Sequence, residues 1–167
     1  DVVQLQQIVG EENVSVRGAD LEAHSIDESC FEPHLPDVVI WPDNVEQISQ
    51  ILRYANERGI PVVPWSGGSS LEGNPIPTRG GIILAIYRWN KILEIREDDL
   101  QVVVQPGIVY DNLNEQLKRL ALFFPPAPGS SDVATIGGMV SNNSSGMRAI
   151  KYGVTRDYVL KLQVVLP

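Results

Sequence analysis

Apolar residues recur at helical spacing in one long segment of this 167-residue chain. These positions follow the i, i+3, i+4 spacing of a single helix face: Val45, Ile48, Ile51, Leu52 and Ala55. Asn44 with Gln47 forms a capping-box pattern ahead of this face, and Gly59 supplies a stop after it. The pattern therefore predicts a helix over residues 44–58.

Short apolar runs on both sides of that helix predict β-strands. They occupy residues 38–40 and 60–63, so this region is predicted to begin as a βαβ unit. Three further apolar runs, at residues 81–86, 92–95 and 100–105, predict a meander.

Helical spacing returns at both flanks of this strand-rich region. Residues 110–120 predict a second long helix, with its leucine face explained most simply by core packing. Residues 1–22 predict an amphipathic helix that is broken at Gly10. The segment 164–167 has the composition of a strand.

A stretch rich in glycine and serine, residues 64–74, follows the predicted strand 60–63. Glycines let backbone N–H groups turn toward one point, and Ser66, Ser69 and Ser70 add hydroxyl donors. Such a loop can wrap a phosphate. A flexible turn is the alternative, because a glycine-rich loop is a weak signal without its structural context.

A second cluster of small residues lies further along the chain, between two other distinctive segments. A proline-rich run at residues 123–132 precedes the cluster 135–146, and Tyr152-Gly153-Val154-Thr155-Arg156-Asp157 comes soon after. Together with the loop 64–74, this ordered set resembles the FAD-binding domain of the vanillyl-alcohol oxidase/para-cresol methylhydroxylase type. It is most similar to the branch that contains D-lactate dehydrogenase and glycolate oxidase, and the resemblance spans about residues 36–167.

The resemblance implies an α+β fold, the FAD-binding PCMH-type domain, with two small α+β subdomains and the flavin between them. Residues 1–35 are then an N-terminal helical or irregular segment. Residues 36–98 form the first FAD-binding subdomain, and residues 99–167 form a second one that is C-terminally incomplete. The chain is expected to be a fragment that lacks the substrate-binding cap.

The same resemblance implies which residues contact the cofactor. In the first subdomain they would lie along the pyrophosphate and ribityl chain: Trp65, Ser66, Gly67, Gly68, Ser69, Ser70, Gly73 and Asn74. In the second subdomain they would enclose the rest of the FAD: Gly107, Pro128, Gly129, Thr135, Ile136, Gly137, Gly138, Ser141, Asn142, Ser144, Gly146, Tyr152 and Gly153. For Gly107 and Gly153, turn geometry is an alternative explanation.

Two departures from the family pattern bear on the cofactor. Relatives with covalent flavin often carry histidine within Ser-Gly-Gly-His, whereas this chain has Ser69 there. The resemblance therefore implies noncovalent FAD. Trp65 stands where many relatives have Arg or Phe, and it is either a packing residue at the root of the loop or an aromatic contact to the cofactor.

By resemblance, the full-length protein is an enzyme that oxidises a 2-hydroxy acid, D-lactate or glycolate, to the 2-keto acid. The flavin carries the hydride transfer, and an electron-acceptor protein or quinone reoxidises it. This chain alone is expected to be inactive, with its catalytic residues elsewhere. The alternatives are a D-2-hydroxyglutarate dehydrogenase, an alkylglycerone-phosphate synthase-like flavoenzyme, or a cofactor-free binding or assembly subunit with the same fold.

Charge and composition exclude several other classes. The net charge of −8 argues against a nucleic-acid partner, because affinity for nucleic acid rests on Lys and Arg contacts to phosphates. The single cysteine, Cys30, permits no internal disulfide. His24 and His34 lack the spaced partners of a metal site or triad, so we predict structural or surface roles and no metal. No apolar run approaches the roughly 20 residues of a membrane span. We predict a cytoplasmic protein, with peripheral membrane association as the alternative, because relatives in this family pass electrons to quinone or cytochrome.

Overall fold

The computed structural model describes residues 1–166, and the chain divides into two compact units. The first contains Asp1–Ile86 with the residues from Gln163 onward, and the second contains Tyr87–Leu162. The domain limits predicted from the sequence lie between residues 35 and 36 and between residues 98 and 99. They come from the family resemblance and do not coincide with the division into two units. That residues 36–98 and 99–167 are two flavin-binding subdomains stays a prediction.

Residues 1–166 form six α-helices and six β-strands. The helices are α1 (Val2–Val9), α2 (Gly18–Ala23), α3 (Val45–Arg58), α4 (Tyr110–Lys118), α5 (Ile136–Asn142) and α6 (Ala149–Tyr152). The strands are β1 (Val14–Ser15), β2 (Val38–Ile40), β3 (Val62–Trp65), β4 (Ile82–Ala85), β5 (Ile92–Arg96) and β6 (Gln101–Val104). Single 3₁₀ turns occupy Glu11–Asn13 and Thr155–Tyr158.

A four-stranded sheet with the order β1-β2-β4-β3 organises the first unit. Strands β2 and β3 both run parallel to β4, whereas β1 pairs antiparallel with β2. The predicted βαβ unit is therefore present as β2-α3-β3, but β4 lies between its two strands. The predicted meander is wrong, because β4 belongs to this parallel sheet and, of the three strands predicted to form the meander, just β5 and β6 pair with each other.

The core of the first unit explains why β4 occupies the middle of the sheet. All four of its residues, Ile82–Ala85, are buried, as is all of β2. Such continuous apolar runs are typical of parallel strands covered on both faces. Ile51 and Ala55 of α3 and Leu5 and Val9 of α1 complete one buried cluster with these strands.

Helix α3 begins and ends where its sequence predicts. The Asn44 side chain accepts a hydrogen bond from the Gln47 N–H at 2.8 Å, and Gln47 Oε1 accepts one from the Asp43 N–H at 2.6 Å. The reciprocal bond of the capping box thus reaches one residue further back than expected. At the other end, Gly59 adopts the left-handed conformation (φ 64°), which glycine reaches without steric cost.

We expect Asn44→Ala to lower the free energy of unfolding by about 1 kcal/mol. The substitution removes the acceptor for the Gln47 N–H and leaves the first turn of α3 uncapped. Urea unfolding followed by circular dichroism measures the change. Gln50→Ala, at an exposed position of the same helix, is the matched control. An Asn44→Ala curve that overlays the Gln50→Ala curve would contradict the capping role.

The second unit is built on the hairpin of β5 and β6. Helix α4 packs Leu113 and Leu117 against the apolar side of this hairpin, in a cluster that also contains Ile108. The helix ends at Lys118, two residues before the predicted limit, and Ala121 then takes a positive φ of 56°.

The termini differ more from the sequence-based expectation. The predicted N-terminal helix is present as α1 and α2, separated by Gly10 (φ 91°) and by the short strand β1, which the hydrophobic pattern did not predict. The strand predicted from the composition of residues 164–167 is wrong for residues 164–166, which form no strand. The last residue of that predicted segment, Pro167, lies outside the described residues.

Candidate functional site

The glycine-rich loop begins where β3 ends, at Trp65. Because β3 and β4 are parallel, with Trp65 opposite Ala85, the loop leaves the carboxyl edge of the sheet. Ligands of open parallel sheets bind at this edge. Gly68 and Gly73 take positive φ values of 64° and 74°, so the loop needs glycine at both positions.

Trp65 supports this loop from within the first unit. A Cβ added to Gly68 would lie 2.6 Å from Cζ2 of the Trp65 ring, so the ring packs directly against the loop backbone. Trp65 also contacts the buried His24 ring at a centroid distance of 4.5 Å. His24 is oriented in turn by a 2.7 Å hydrogen bond between its Nδ1 and the Asp20 carbonyl oxygen. These contacts fit a packing role for Trp65, and its contact with the cofactor stays a prediction.

Residues of the N-terminal segment hold the far end of the same loop. Asp27 accepts a 2.8 Å hydrogen bond from the Gly73 N–H, and the Glu28 N–H donates to the Ser70 carbonyl at 3.0 Å. Partial burial raises the pKa of Asp27, but hydrogen bonds from Ser29, Gly73 and Ser70 outweigh this effect and bring the pKa below its ordinary value. Asp27 is therefore a carboxylate at neutral pH.

In the second unit, the start of α5 docks onto the turn that follows β6. The Gly137 N–H donates to the Pro106 carbonyl at 2.7 Å, and the Ile136 N–H donates to the Ile108 carbonyl at 2.9 Å. Thr135 caps the helix by accepting from the Gly138 N–H at 3.3 Å. The predicted residues Gly107 and Thr135–Gly138 are thus brought together.

A second group of predicted residues meets around Ser144 and Gly146. Ser144 O accepts hydrogen bonds from Thr155 Oγ1 at 2.6 Å and from the Thr155 N–H at 3.1 Å. A Cβ added to Gly146 would lie 1.7 Å from the Ala127 carbonyl oxygen, so this backbone contact requires glycine. The predicted Pro128 follows Ala127, and the cluster 135–146 therefore packs against the proline-rich run.

The basic residues near this group have aromatic partners. The Arg148 guanidinium lies 5.8 Å from the centroid of Phe123, and Lys151 Nζ lies 4.9 Å from that of Tyr152. Tyr152 is further held by its carbonyl, which accepts from the Tyr158 hydroxyl at 2.6 Å. Gly153 has a φ of 82°, so turn geometry alone already requires glycine there.

The residues predicted to contact FAD differ in their exposure. Residues 66–70 are all half-buried, so their small side chains and backbone remain partly accessible, and none carries a charge that would repel a pyrophosphate. Asn74, Gly129, Ser141 and Asn142 are exposed. A separate cavity of about 430 Å³ in the second unit contains none of the predicted residues: its lining is Asn90, Ile92, Ile95, Ile108, Asn112 and Gln116.

Sequence reasoning missed the residues that support these loops. Asp27, Phe31, Pro106 and Ala127 all contact predicted site residues, and none was predicted to do so. The Asp27-Glu28-Ser29 pattern indicates a local turn, in which Asp27 accepts from the Ser29 N–H at 3.0 Å. It carries no information about Gly73, because that contact spans 46 positions of the chain.

The structure also bears on the two histidines, on metal binding and on membrane crossing. His24 is buried and His34 is exposed, with Nδ1 of His34 3.0 Å from the Glu32 carbonyl. Across residues 1–166, no three His, Cys, Asp or Glu side chains cluster in a way that could hold a metal ion. In the same residues, no helix combines the length and apolar character that a membrane crossing requires.

Comparison with known proteins identifies the family. The model of the FAD binding domain family matches residues 36–167. The chain belongs to this family. It is 42% identical over 163 residues to glycolate oxidase subunit GlcD of Bacillus subtilis, covering 98% of this chain and 35% of that protein. It is 36% identical over 168 residues to the mitochondrial D-lactate dehydrogenase (cytochrome) of Arabidopsis thaliana, covering 99% of this chain and 29% of that protein.

Solved structures confirm the predicted α+β fold of the PCMH type. An alkyldihydroxyacetonephosphate synthase superposes with a TM-score of 0.86 at 22% identity, covering 95% of this chain and 31% of the synthase. A p-cresol methylhydroxylase superposes with a TM-score of 0.75 at 24% identity, covering 87% of this chain and 29% of the hydroxylase. At these identities the likeness concerns the fold alone. This FAD-binding domain spans about a third of the length of the curated relatives it matches.

Proposed function

We propose that this domain is the FAD-binding part of a flavoenzyme that oxidises a 2-hydroxy acid, D-lactate or glycolate, to the corresponding 2-keto acid. One observation carries the proposal: a loop of small, partly accessible residues leaves the carboxyl edge of a parallel sheet in a chain of the FAD binding domain family. The similarity to glycolate oxidase subunit GlcD and to a D-lactate dehydrogenase supports the choice of substrate class.

In this proposal the residues of the first unit bind the cofactor's anionic centre. Backbone N–H groups of residues 66–70 and the hydroxyls of Ser66 and Ser69 would hold the pyrophosphate and the ribityl chain. Gly73 and Asn74 would line this part of the cofactor, while the Gly73 N–H and the Ser70 hydroxyl stay bound to Asp27. The residues around Thr135–Gly138, Ser144 and Gly146 would enclose the remainder of the FAD. Bound FAD supplies the two-electron acceptor for the carbon that bears the substrate hydroxyl.

The cofactor is proposed to be noncovalent. Ser69 occupies the loop position where relatives with covalent flavin often carry histidine, and a serine hydroxyl supplies no comparable nucleophile. Precipitation of the purified protein in acid should therefore release the flavin into the supernatant. Flavin that stays with the pellet would contradict this part of the proposal.

Substrate binding and reoxidation are proposed for the longer protein. The 2-hydroxy acid would bind in a cap domain, and an acceptor protein or a quinone would take the electrons. If the acceptor is a membrane quinone, the protein would be a cytoplasmic one that associates peripherally with the membrane surface. The name of the Arabidopsis relative includes a cytochrome, which supports a protein acceptor.

Titration of the purified, flavin-stripped chain with FAD tests the proposal. We expect saturable binding, measured by flavin absorbance and by quenching of flavin fluorescence. In the longer protein, D-lactate or glycolate should bleach the flavin absorbance near 450 nm on the order of seconds to minutes under anaerobic conditions. If neither this chain nor a longer chain binds FAD, the proposal is wrong and a cofactor-free binding or assembly module is favoured.

A further inference from the structure

The segment before β2 is attached to the glycine-rich loop at several points, although it precedes the region 36–167 that the family model matches. We define the loop clamp as Asp27, Glu28 and Phe31. Each of its members contacts the loop at Ser70 or Gly73. The clamp therefore acts on the distal half of the loop, whereas Trp65 packs against Gly68 in the proximal half.

Asp27 is the central residue of the clamp because its two carboxylate oxygens have different tasks. Oδ1 accepts the Ser29 N–H at 3.0 Å and closes a local turn. Oδ2 accepts the Gly73 N–H at 2.8 Å, across 46 positions of the chain. The Ser70 side chain also hydrogen bonds to Asp27. One carboxylate thus joins a turn of the N-terminal segment to both Ser70 and Gly73.

The other two members fix the same stretch of backbone. The Glu28 N–H donates to the Ser70 carbonyl at 3.0 Å. A Cβ added to Gly73 would lie 2.7 Å from Cδ2 of Phe31, so the Phe31 ring packs against the Gly73 backbone. Gly73 itself has a φ of 74°. Glycine in an unrestrained loop samples positive and negative φ values about equally, so these contacts select one of its conformations.

We propose that Asp27 is a positioning residue that holds residues 70–73 in the conformation that binds FAD. This inference rests on the proposed function, and it adds a residue outside the loop and outside the predicted cofactor contacts. A free loop must lose conformational entropy when it orders around a ligand, so a loop that is ordered beforehand binds more tightly. Asp27 supplies part of that order through its hydrogen bonds to Ser70 and Gly73.

Asp27→Asn tests the role of a single oxygen. Asparagine keeps Oδ1, which can still accept from the Ser29 N–H, but it places an NH₂ donor opposite the Gly73 N–H. Removal of the negative charge by itself favours pyrophosphate binding, but the lost hydrogen bond to Gly73 frees residues 70–73 and has the larger effect, since hydrogen bonds to charged groups are among the stronger ones. We therefore expect the dissociation constant for FAD to rise about 10-fold. Asp27→Ser, which also retains a short acceptor for the local turn but cannot reach Gly73, should give a similar rise.

Asp37→Asn is the matched control. Asp37 Oδ2 also accepts a glycine N–H, that of Gly81, at 2.7 Å. Gly81 directly precedes β4, so this bond lies at the amino edge of the parallel sheet, opposite the edge that carries the glycine-rich loop. We expect Asp37→Asn to lower the thermal midpoint about as much as Asp27→Asn does while changing FAD affinity less than twofold.

Amide hydrogen exchange of the flavin-free chain gives a readout that does not depend on FAD. In Asp27→Asn, exchange should accelerate within residues 70–74 and stay unchanged in α3 and the sheet. Unchanged exchange in the loop, an unchanged dissociation constant, or an equal loss of affinity in Asp37→Asn would each overturn the inference. If neither this chain nor a longer chain binds FAD, the proposed function fails and the cofactor role of Asp27 fails with it. The exchange rates then still decide whether Asp27 orders the loop.

Discussion

Gly146→Ala is expected to lower the free energy of unfolding of the second unit by about 3 kcal/mol or more. The added methyl carbon would lie 1.7 Å from the Ala127 carbonyl oxygen and 2.5 Å from the Ala127 carbonyl carbon. Both contacts are with backbone atoms, so no side chain can rotate to relieve the overlap. The main chain itself has to shift.

Neither side of this contact can move without breaking other interactions. Ala127 lies between Pro126, which is fully buried, and Pro128. On the Gly146 side, the nearby Ser144 carbonyl accepts two hydrogen bonds from the fully buried Thr155. Urea unfolding of the purified chain, followed by circular dichroism, measures the loss.

Gly129→Ala is the control for this prediction, because a Cβ at Gly129 meets nothing within 4 Å. We expect its stability to stay within about 0.5 kcal/mol of wild type. Equal unfolding midpoints for Gly146→Ala and Gly129→Ala would show that the chain relaxes around the overlap, and the packing described for residues 127 and 146 would then be wrong.

The double variant Gly67→Asp/Gly138→Asp is expected to lose FAD binding, with the dissociation constant raised at least about 100-fold. Each substitution adds a side chain at a predicted cofactor contact and also a negative charge. Carboxylates close to a pyrophosphate repel it, and like charges brought together at an interface cost several kcal/mol. Titration of the flavin-stripped variant with FAD measures the effect.

Gly18→Asp provides the matched control, since it makes the same chemical change at a different glycine. Gly18 has nothing within 4 Å of an added Cβ and begins α2, where an aspartate interacts favourably with the helix dipole. We expect this variant to bind FAD like wild type. The single variants Gly67→Asp and Gly138→Asp then separate the contributions of the two loops. If the double variant folds and binds FAD nearly as tightly as wild type, neither glycine belongs to the proposed site.

Sequence reasoning succeeded where the signal is local. Asn44, the apolar face of α3 and Gly59 lie within one segment, and they predicted a helix whose structure runs over Val45–Arg58. The family was likewise visible in the order of small-residue segments, and the family model confirmed it over residues 36–167. Helix α5 was missed even though its residues were singled out, because Gly137 and Gly138 are poor helix formers.

The sequence alone therefore determined helix α3 with its two ends, the family and the composition of the loops, because spacing, caps and glycine content act over a few residues. Only the tertiary structure decided that β4 lies between β2 and β3, since strand order depends on which buried faces meet. It also decided that Asp27 holds Gly73 and that Gly146 packs on Ala127. Both contacts join residues far apart in the chain, and a local sequence pattern carries no information about which distant atoms folding brings together.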